Sequence, residues 1–215
     1  MFAIHGGFDR ANARGELFDF VTDSLTLDRG DFSAVRYSMD LAYSITPRLD
    51  LSFSGGYASS KTPSESEHYI GTDDLPIAQT TRFTRVPLMA SLKVYLLPRG
   101  ETIGSLAWIP SRFSPFVGAG GGAMMYRFQQ EGEFVDSESP DLEIFSDRLV
   151  STGWVPAAQG LAGFDVALSP RWGLTTEGKY TFARKHTDFS DDEDFQDYRI
   201  DLSGLSVTMG FHVRF

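Results

Sequence analysis

The sequence predicts an all-β chain, folded as one eight-stranded antiparallel up-and-down transmembrane β-barrel over residues 1–215. Three observations predict it. Apolar and polar residues alternate through eight separate segments, the period that sends successive strand side chains to opposite faces. The apolar faces carry more large rings than the interior of an eight-stranded barrel can hold. The connections alternate between tight turns and long acidic loops, so the two ends of the barrel differ chemically.

The first segment, Phe2–Phe8, sets Phe2, Ile4 and Phe8 against His5. In 32–46, Val35, Tyr37, Met39, Leu41, Tyr43 and Ile45 oppose Arg36, Ser38, Asp40, Ala42 and Ser44. After "TPRLD", 49–57 sets Leu49, Leu51, Phe53 and Tyr57 against Asp50, Ser52 and Ser54. The fourth, 82–97, has Val86, Leu88, Ala90, Leu92, Val94 and Leu96 on one side and Arg85, Ser91, Lys93 and Tyr95 on the other. By the same rule the fifth, 114–128, turns Phe116, Met124, Tyr126 and Phe128 outward and Arg127 inward. In 153–168, Trp154, Ala158, Ala162, Phe164, Val166 and Leu168 oppose Gln159 and Asp165. In 172–182, Trp172, Leu174, Tyr180 and Phe182 oppose Glu177, Lys179 and Thr181. The eighth, 202–215, alternates Leu205, Val207, Met209, Phe211, Val213 and Phe215 with Ser206, Thr208, Gly210, His212 and Arg214.

The turns at 46–50 and 169–173 each place Pro at a turn-favouring position. The link 98–113 is longer and begins and ends on turn residues. Long outer loops are expected at about 9–31, 59–81, 129–152 and 186–201. They hold six, four, seven and seven of the 29 acidic residues, which leaves only Asp40, Asp50, Glu101, Asp165 and Glu177 elsewhere.

A soluble barrel would turn its apolar face inward. Here that face is expected to carry Tyr37, Tyr43, Phe53, Tyr57, Phe116, Tyr126, Phe128, Trp154, Phe164, Trp172, Tyr180, Phe182, Phe211 and Phe215, too much volume for so narrow a lumen. Many rings also fall near strand ends, where a membrane barrel carries aromatic girdles. The apolar face is therefore expected to meet lipid. A closed barrel is the β-structure that satisfies every backbone group there.

The totals agree. A mean hydropathy of −0.18 is compatible with a membrane barrel, because its strands alternate and average out. No apolar run approaches the ~20 residues of a spanning helix. The chain lacks cysteine, which excludes disulfides and thiolate metal sites. A net charge of −10 disfavours nucleic-acid binding. The opening "MFAIHGGF" already reads as a strand and not as a signal peptide.

The last strand, "GLSVTMGFHVRF", resembles the C-terminal insertion signal of bacterial outer-membrane barrels. The stretches "RVPLMASLKVYLLP" and "SPFVGAGGGAMMYRF" resemble paired strands of the small OmpA/OmpX/OmpW-like barrels. The resemblance covers essentially the whole chain as a pattern and implies the outer membrane of a diderm (Gram-negative) bacterium. It implies that the barrel-assembly machinery reads Phe211, Val213 and Phe215, and that the surrounding partners are outer-membrane lipids and lipopolysaccharide. Cell-wall anchoring of the kind that the peptidoglycan-binding domain of OmpA provides is not expected.

Inward charges are expected at Arg36, Asp40, Arg85, Lys93, Arg127, Asp165, Glu177, Lys179, His212 and Arg214. They make either a polar conduit or a set of ion pairs that fills and shuts the lumen. Burial cost favours the second. No cofactor or bound metal is expected. The run "DFSDDEDFQDYRID" has carboxylates for calcium but lacks the glycine and spacing of an EF-hand loop. An intermediate reading has divalent cations bridging these loops to lipopolysaccharide phosphates. "GAGGG" lacks the Lys-Ser/Thr of a phosphate loop.

A structural or interaction scaffold is the expected function, with the loops contacting the surroundings or another surface protein. The apolar residues Leu17, Phe18, Phe20, Val21, Leu25 and Leu27 would pack above the barrel or dock a larger assembly. The alternative is a narrow channel, or a lateral route for small hydrophobic molecules as in the OmpW-like group. That alternative requires an apolar pocket at the loop end and a break in the wall. Enzyme activity is not expected. A lipid-modifying hydrolase would need a nucleophile–His–acid set, and neither His68 among its loop neighbours nor His212 with Ser206 supplies one.

Overall fold

A computed structural model describes residues 1–70, 75–103, 107–135, 144–187 and 198–215. The elements run β1 (Phe2–Ala11), α1 (Glu16–Ser24), a single 3-10 turn (Arg29–Phe32), β2 (Ala34–Thr46), β3 (Leu49–Ile70), β4 (Pro76–Tyr95), β5 (Gly100–Ile103), β6 (Ala107–Pro110), β7 (Phe113–Val135), β8 (Ile144–Ala167), β9 (Trp172–Phe182), β10 (Arg184–Thr187), β11 (Tyr198–Asp201) and β12 (Gly204–Val213).

Eight strands close a barrel in the order β1-β12-β9-β8-β7-β4-β3-β2, every pair antiparallel. Closure runs from Phe2↔Val213 to Ala11↔Gly204 without a slip. Register is firm because a one-residue shift would send every lipid-facing ring into the lumen. The tight turns sit where expected, with Leu168 and Ser169 bonded back to the Trp172 carbonyl. Among the described residues no helix is long and apolar enough to cross a membrane.

The outward face is apolar and open in seven of the eight strands as read from the sequence. Val35, Tyr37, Met39, Leu41, Phe53, Leu88, Leu92, Trp154, Trp172, Val207, Met209 and Phe211 are all exposed. A continuous apolar belt of this kind on a closed barrel is a lipid-facing surface.

β7 departs from the expectation. Phe116, Met124, Tyr126 and Phe128 are buried inside, while Arg127 is exposed on the outer wall. The physical reason lies in Gly118, Gly120 and Gly122, which share the inner face and stand opposite Lys93, Ser91 and Met89 of β4. A side chain at Gly120 would run into the Ala90 carbonyl and the Ser91 hydroxyl. Glycines therefore line the inner wall where long side chains from β4 need space, and rings fill it above and below.

The spans 59–81 and 129–152, expected as loops, are largely paired strand. The ladder continues through Ser59↔Thr84 to Glu65↔Ala78 and through Gln129↔Val150 to Val135↔Ile144. On β3 and β8 most side chains there are open or half-buried on both faces, so the alternation fades while the backbone stays paired; on β4 Ile77, Gln79 and Thr81 remain buried. β2 leaves β3 at Arg36↔Ala58, and β9 leaves β8 at Ala158↔Phe182. β3, β4, β7 and β8 thus stand above the closed barrel as a four-stranded sheet. Its β3 edge is partly covered by the first loop, where Thr26 N–H donates to the Glu65 carbonyl (2.9 Å). The link 98–113 carries the β5–β6 hairpin at the opposite end. The span 186–201 includes parts of β10 and β11, and its acidic run 188–197 lies outside the described residues.

The span 9–31 holds an unforeseen helix. Leu17, Phe18 and Val21 make its buried stripe, and Glu16 and Asp19 lie in its first turn, where the helix dipole favours acid. The stripe drops into the outer mouth of the barrel. Phe18 lies edge-on to Phe32 (4.8 Å), Phe83 (5.3 Å) and Phe128 (6.1 Å between centroids). Leu25, Leu27, Val155, Ile200 and Leu202 complete this core.

Candidate functional site

The chemistry of the chain gathers in its lumen, in four layers from the turn end to the loop end. At the turn end Arg99 closes the mouth. Its Nη1 donates to buried Asp50 Oδ2 (2.8 Å), its Nε donates to the Pro47 carbonyl (2.9 Å), and its guanidinium stacks on Tyr95 (4.4 Å).

Next comes Asp165, which accepts from Tyr95 Oη (2.9 Å) and from Thr175 Oγ1 (2.7 Å). Thr175 Oγ1 in turn lies 2.8 Å from His212 Nδ1. Arg214 approaches Asp165 at 3.8 Å with its side chain 16% exposed. The third layer joins Asp40, Glu177, Lys93 and Lys179. Lys93 donates to Glu177 Oε2 (3.1 Å), and Lys179 bridges Asp40 Oδ1 (3.2 Å) to Glu177 Oε1. His5 Nδ1 lies 2.9 Å from Asp40 Oδ2. Two carboxylates face two ammoniums, so the layer is neutral overall. Burying it is tolerable only because each charge has its partner within hydrogen-bonding reach.

The fourth layer lies under the apolar plug. Arg85 Nη2 donates to Asp9 Oδ2 (2.8 Å), and its Nη1 donates to the carbonyls of Leu202 (3.0 Å) and Ser203 (3.3 Å). Arg36 Nη1 stands 3.9 Å from the same Asp9 oxygen. Between the layers Gln159 donates to Ser91 Oγ (2.6 Å) over Gly120, joining the two strands that flank β7.

Of the expected lumen charges, Arg36, Asp40, Arg85, Lys93, Asp165, Glu177, Lys179 and His212 are buried inside, and Arg214 sits at the turn-end mouth. Arg127 is not among them; the reversed face of β7 puts it outside. The sequence reading missed Asp9, His5 as a network member, and the Asp50–Arg99 lock. Asp9 shares the parity of His5 and would have been found by carrying the first strand one residue further. Asp50 shares that of Ser52, but its partner comes from a link with no alternation to read.

His5, Asp40 and Glu177 bring their ligand atoms within 4.8 Å of one another, a group that by composition could hold a metal ion. The donor set does not suit one. Lys179 and Lys93 already occupy the carboxylate oxygens, and a divalent cation would add two charges to a layer that is already balanced. The His212 side chain is equally committed, to Thr175. Ser206 lies on the same strand six residues away and donates to the Lys179 carbonyl (3.4 Å), so the two form no nucleophile–base pair. The side chain of His68 lies outside the described residues.

No protein-family profile matches the chain, and no curated protein matches it by sequence. Solved structures do match by shape. OprG, an outer-membrane protein of Pseudomonas aeruginosa, superposes with a TM-score of 0.52 at 15% identity, covering 100% of this chain and 95% of that one. Neisserial surface protein A gives 0.45 at 12%, covering 100% and 97%. Ail of Yersinia pestis, solved with a heparin analogue, gives 0.41 at 12%, covering 100% and 97%. The shared feature is the fold. Together with the apolar outer belt, the likeness to OprG shows the same fold for this chain, a closed eight-stranded antiparallel β-barrel with a lipid-facing surface.

Proposed function

We propose that this chain is a sealed outer-membrane scaffold, a barrel that anchors a tall outer sheet and acidic loops without conducting through its lumen. One observation carries the reading: beyond a vestibule of about 1010 Å³ at the turn-end mouth, the lumen is filled as far as the outer plug. Arg99 locks one end, three polar layers occupy the middle, and the Phe18 plug caps the other. An open pore would leave charged side chains facing water; here they face one another.

The partners that fit are the lipids and lipopolysaccharide around the belt, and the barrel-assembly machinery, through Phe211, Val213 and Phe215. A further surface protein would be met by the outer sheet and loops, with divalent cations bridging loop carboxylates to lipopolysaccharide phosphates. The lateral-transport alternative needs an empty apolar pocket and a gap in the wall. Neither has support: the apolar space holds Phe18, and each of the eight strands pairs with both neighbours in a closed ring. An enzymatic role fares no better: the hydroxyl beside His212, that of Thr175, donates to Asp165 and is buried, so it faces no substrate.

The test is conductance. Purified protein in a planar bilayer should give no reproducible current steps at moderate voltage. Regular openings of the unmodified chain would sink the sealed scaffold and restore the channel.

A further inference from the structure

The outer wall just above the lipid belt carries a pattern that the sealed lumen does not explain. On β3, β4, β7 and β8 the outward side chains form horizontal rows. The row Tyr57, Val86, Met125 and Trp154 is apolar, and its Tyr57 and Trp154 are more than half exposed. Such rings mark the level where hydrocarbon gives way to headgroups. One row up stand Ser59, Thr84, Arg127 and Thr152, paired strand to strand. Above them come Lys61, Arg82, Gln129 and Val150, and then Pro63, Thr80, Glu131 and Arg148.

Four cations therefore occupy three adjacent rows with one carboxylate, on a chain whose net charge is −10. Lys61 and Arg82 are direct cross-strand partners, an arrangement in which like charges repel. Among the described residues, no carboxylate lies within ion-pair distance of Lys61, Arg82 or Arg127. Glu131 is engaged by Gln129 Nε2 (3.1 Å), and Arg148 is held by Gln129 Oε1 (3.1 Å). Between these side chains lies a depression of about 220 Å³, lined by Lys61, Thr80, Arg82, Gln129 and Glu131.

We propose that this patch is a binding site for the phosphate groups of an amphipathic glycolipid in the outer leaflet. Lys61, Arg82 and Arg127 would hold phosphate oxygens, and the acyl chains would lie on the apolar rows below. Arginine forks match phosphate geometry, and an anion between Lys61 and Arg82 turns their repulsion into attraction. Rows are about 7 Å apart and strands about 5 Å, so the cations span roughly the width of one sugar headgroup. The height of the patch selects a membrane-anchored phosphate over a soluble one, since it begins one residue pair above Trp154. The proposal rests on the outer-membrane placement of the preceding section and gives the lipid contact a site.

The test is native mass spectrometry of detergent-solubilised protein with a bisphosphorylated lipid A-type glycolipid, alongside its dephosphorylated form, inorganic phosphate and a sulfated oligosaccharide. The unmodified chain should retain the phosphorylated lipid and not the dephosphorylated one. The triple variant Lys61→Ala, Arg82→Ala, Arg127→Ala should bind it roughly a hundredfold more weakly, in keeping with the attraction of each surface cation to an anionic membrane. Glu131→Gln, which removes the one acid, should bind it more tightly. Heat-modifiable gel migration checks folding; if the triple variant does not fold, Arg127→Gln alone carries the comparison. Unchanged lipid retention by the variants, equal retention of the dephosphorylated lipid, or preference for the soluble sulfated ligand would each overturn the proposal. Conductance of the same sample is an independent readout, so a leaky barrel that still selects the phosphorylated lipid would fail the scaffold reading alone.

Discussion

Arg85 and Arg127 show how much one arginine's meaning depends on which side of the wall it occupies. Arg85 is buried, with Asp9 and two carbonyls as acceptors; Arg127 is exposed between Thr84 and Thr152. Arg85→Ala would strand Asp9 with only the distant Arg36, so it should cost about 3–5 kcal/mol of stability. Arg127→Ala should fall within about 0.5 kcal/mol. Urea titration of the protein refolded in lipid vesicles, followed by heat-modifiable migration, measures both. Similar costs for the two would mean that Arg127 belongs inside after all. Lys179→Ala should resemble Arg85→Ala, because Lys179 is the ammonium shared by Asp40 and Glu177.

At the scale of the strand, the alternation made most of the barrel legible before any coordinates. Seven faces were readable because their lumen sides carry charge or hydroxyls and their outer sides carry rings or branched aliphatics. β7 offers no such contrast: its lumen side is Gly118, Gly120 and Gly122 between large apolar residues, and its lipid side is Val117, Ala119 and Ala123. The clue lay on the neighbouring strand β4, in Lys93 and Ser91, which need the room. Helix α1 was hidden for a related reason. A nine-residue helix has little intrinsic stability, and this one draws its own from Phe83 and Phe128, far along the chain. The upper parts of β3 and β8 escaped because a strand wetted on both faces loses its period. Two substitutions test the β7 assignment. Gly120→Ala would drive a methyl group against the Ala90 carbonyl and should impair assembly, while Gly121→Ala meets only the Ala157 carbonyl at 3.6 Å and should be tolerated. The reverse ranking, scored by folded fraction on gels, would turn β7 over again. Phe18→Ala, which empties the middle of the plug, should cost about 3–5 kcal/mol.

On the scale of the whole barrel, two seals of different chemistry stand in series. The apolar plug depends on residues 16–27 and the ring cluster below them, and it closes the outer mouth by excluding water. The polar layers depend on cross-barrel pairs between β1, β2, β4, β8 and β9, and they would remain if the plug were gone. Replacing residues 16–27 with a flexible Gly-Ser segment should therefore lower stability and still leave the bilayer electrically silent, because Arg85–Asp9 and the Lys93–Glu177–Lys179–Asp40 layer continue to fill the section. Adding Lys93→Ala, Glu177→Ala, Lys179→Ala and Asp40→Ala to that deletion removes both partners of every lysine–carboxylate pair and leaves only the His5 imidazole without its Asp40 contact, so the barrel wall can still close. That combined variant should show current steps where neither change alone does. Conductance from the plug deletion by itself would locate the seal in α1 and assign the polar layers to wall rigidity alone. Silence from a combined variant that folds would mean that the remaining Arg36, Asp9, Arg85 and Arg99 suffice to close the lumen. In a cross-section this narrow the inward rows fill the space jointly, and that is why an eight-stranded wall favours a scaffold over a pore.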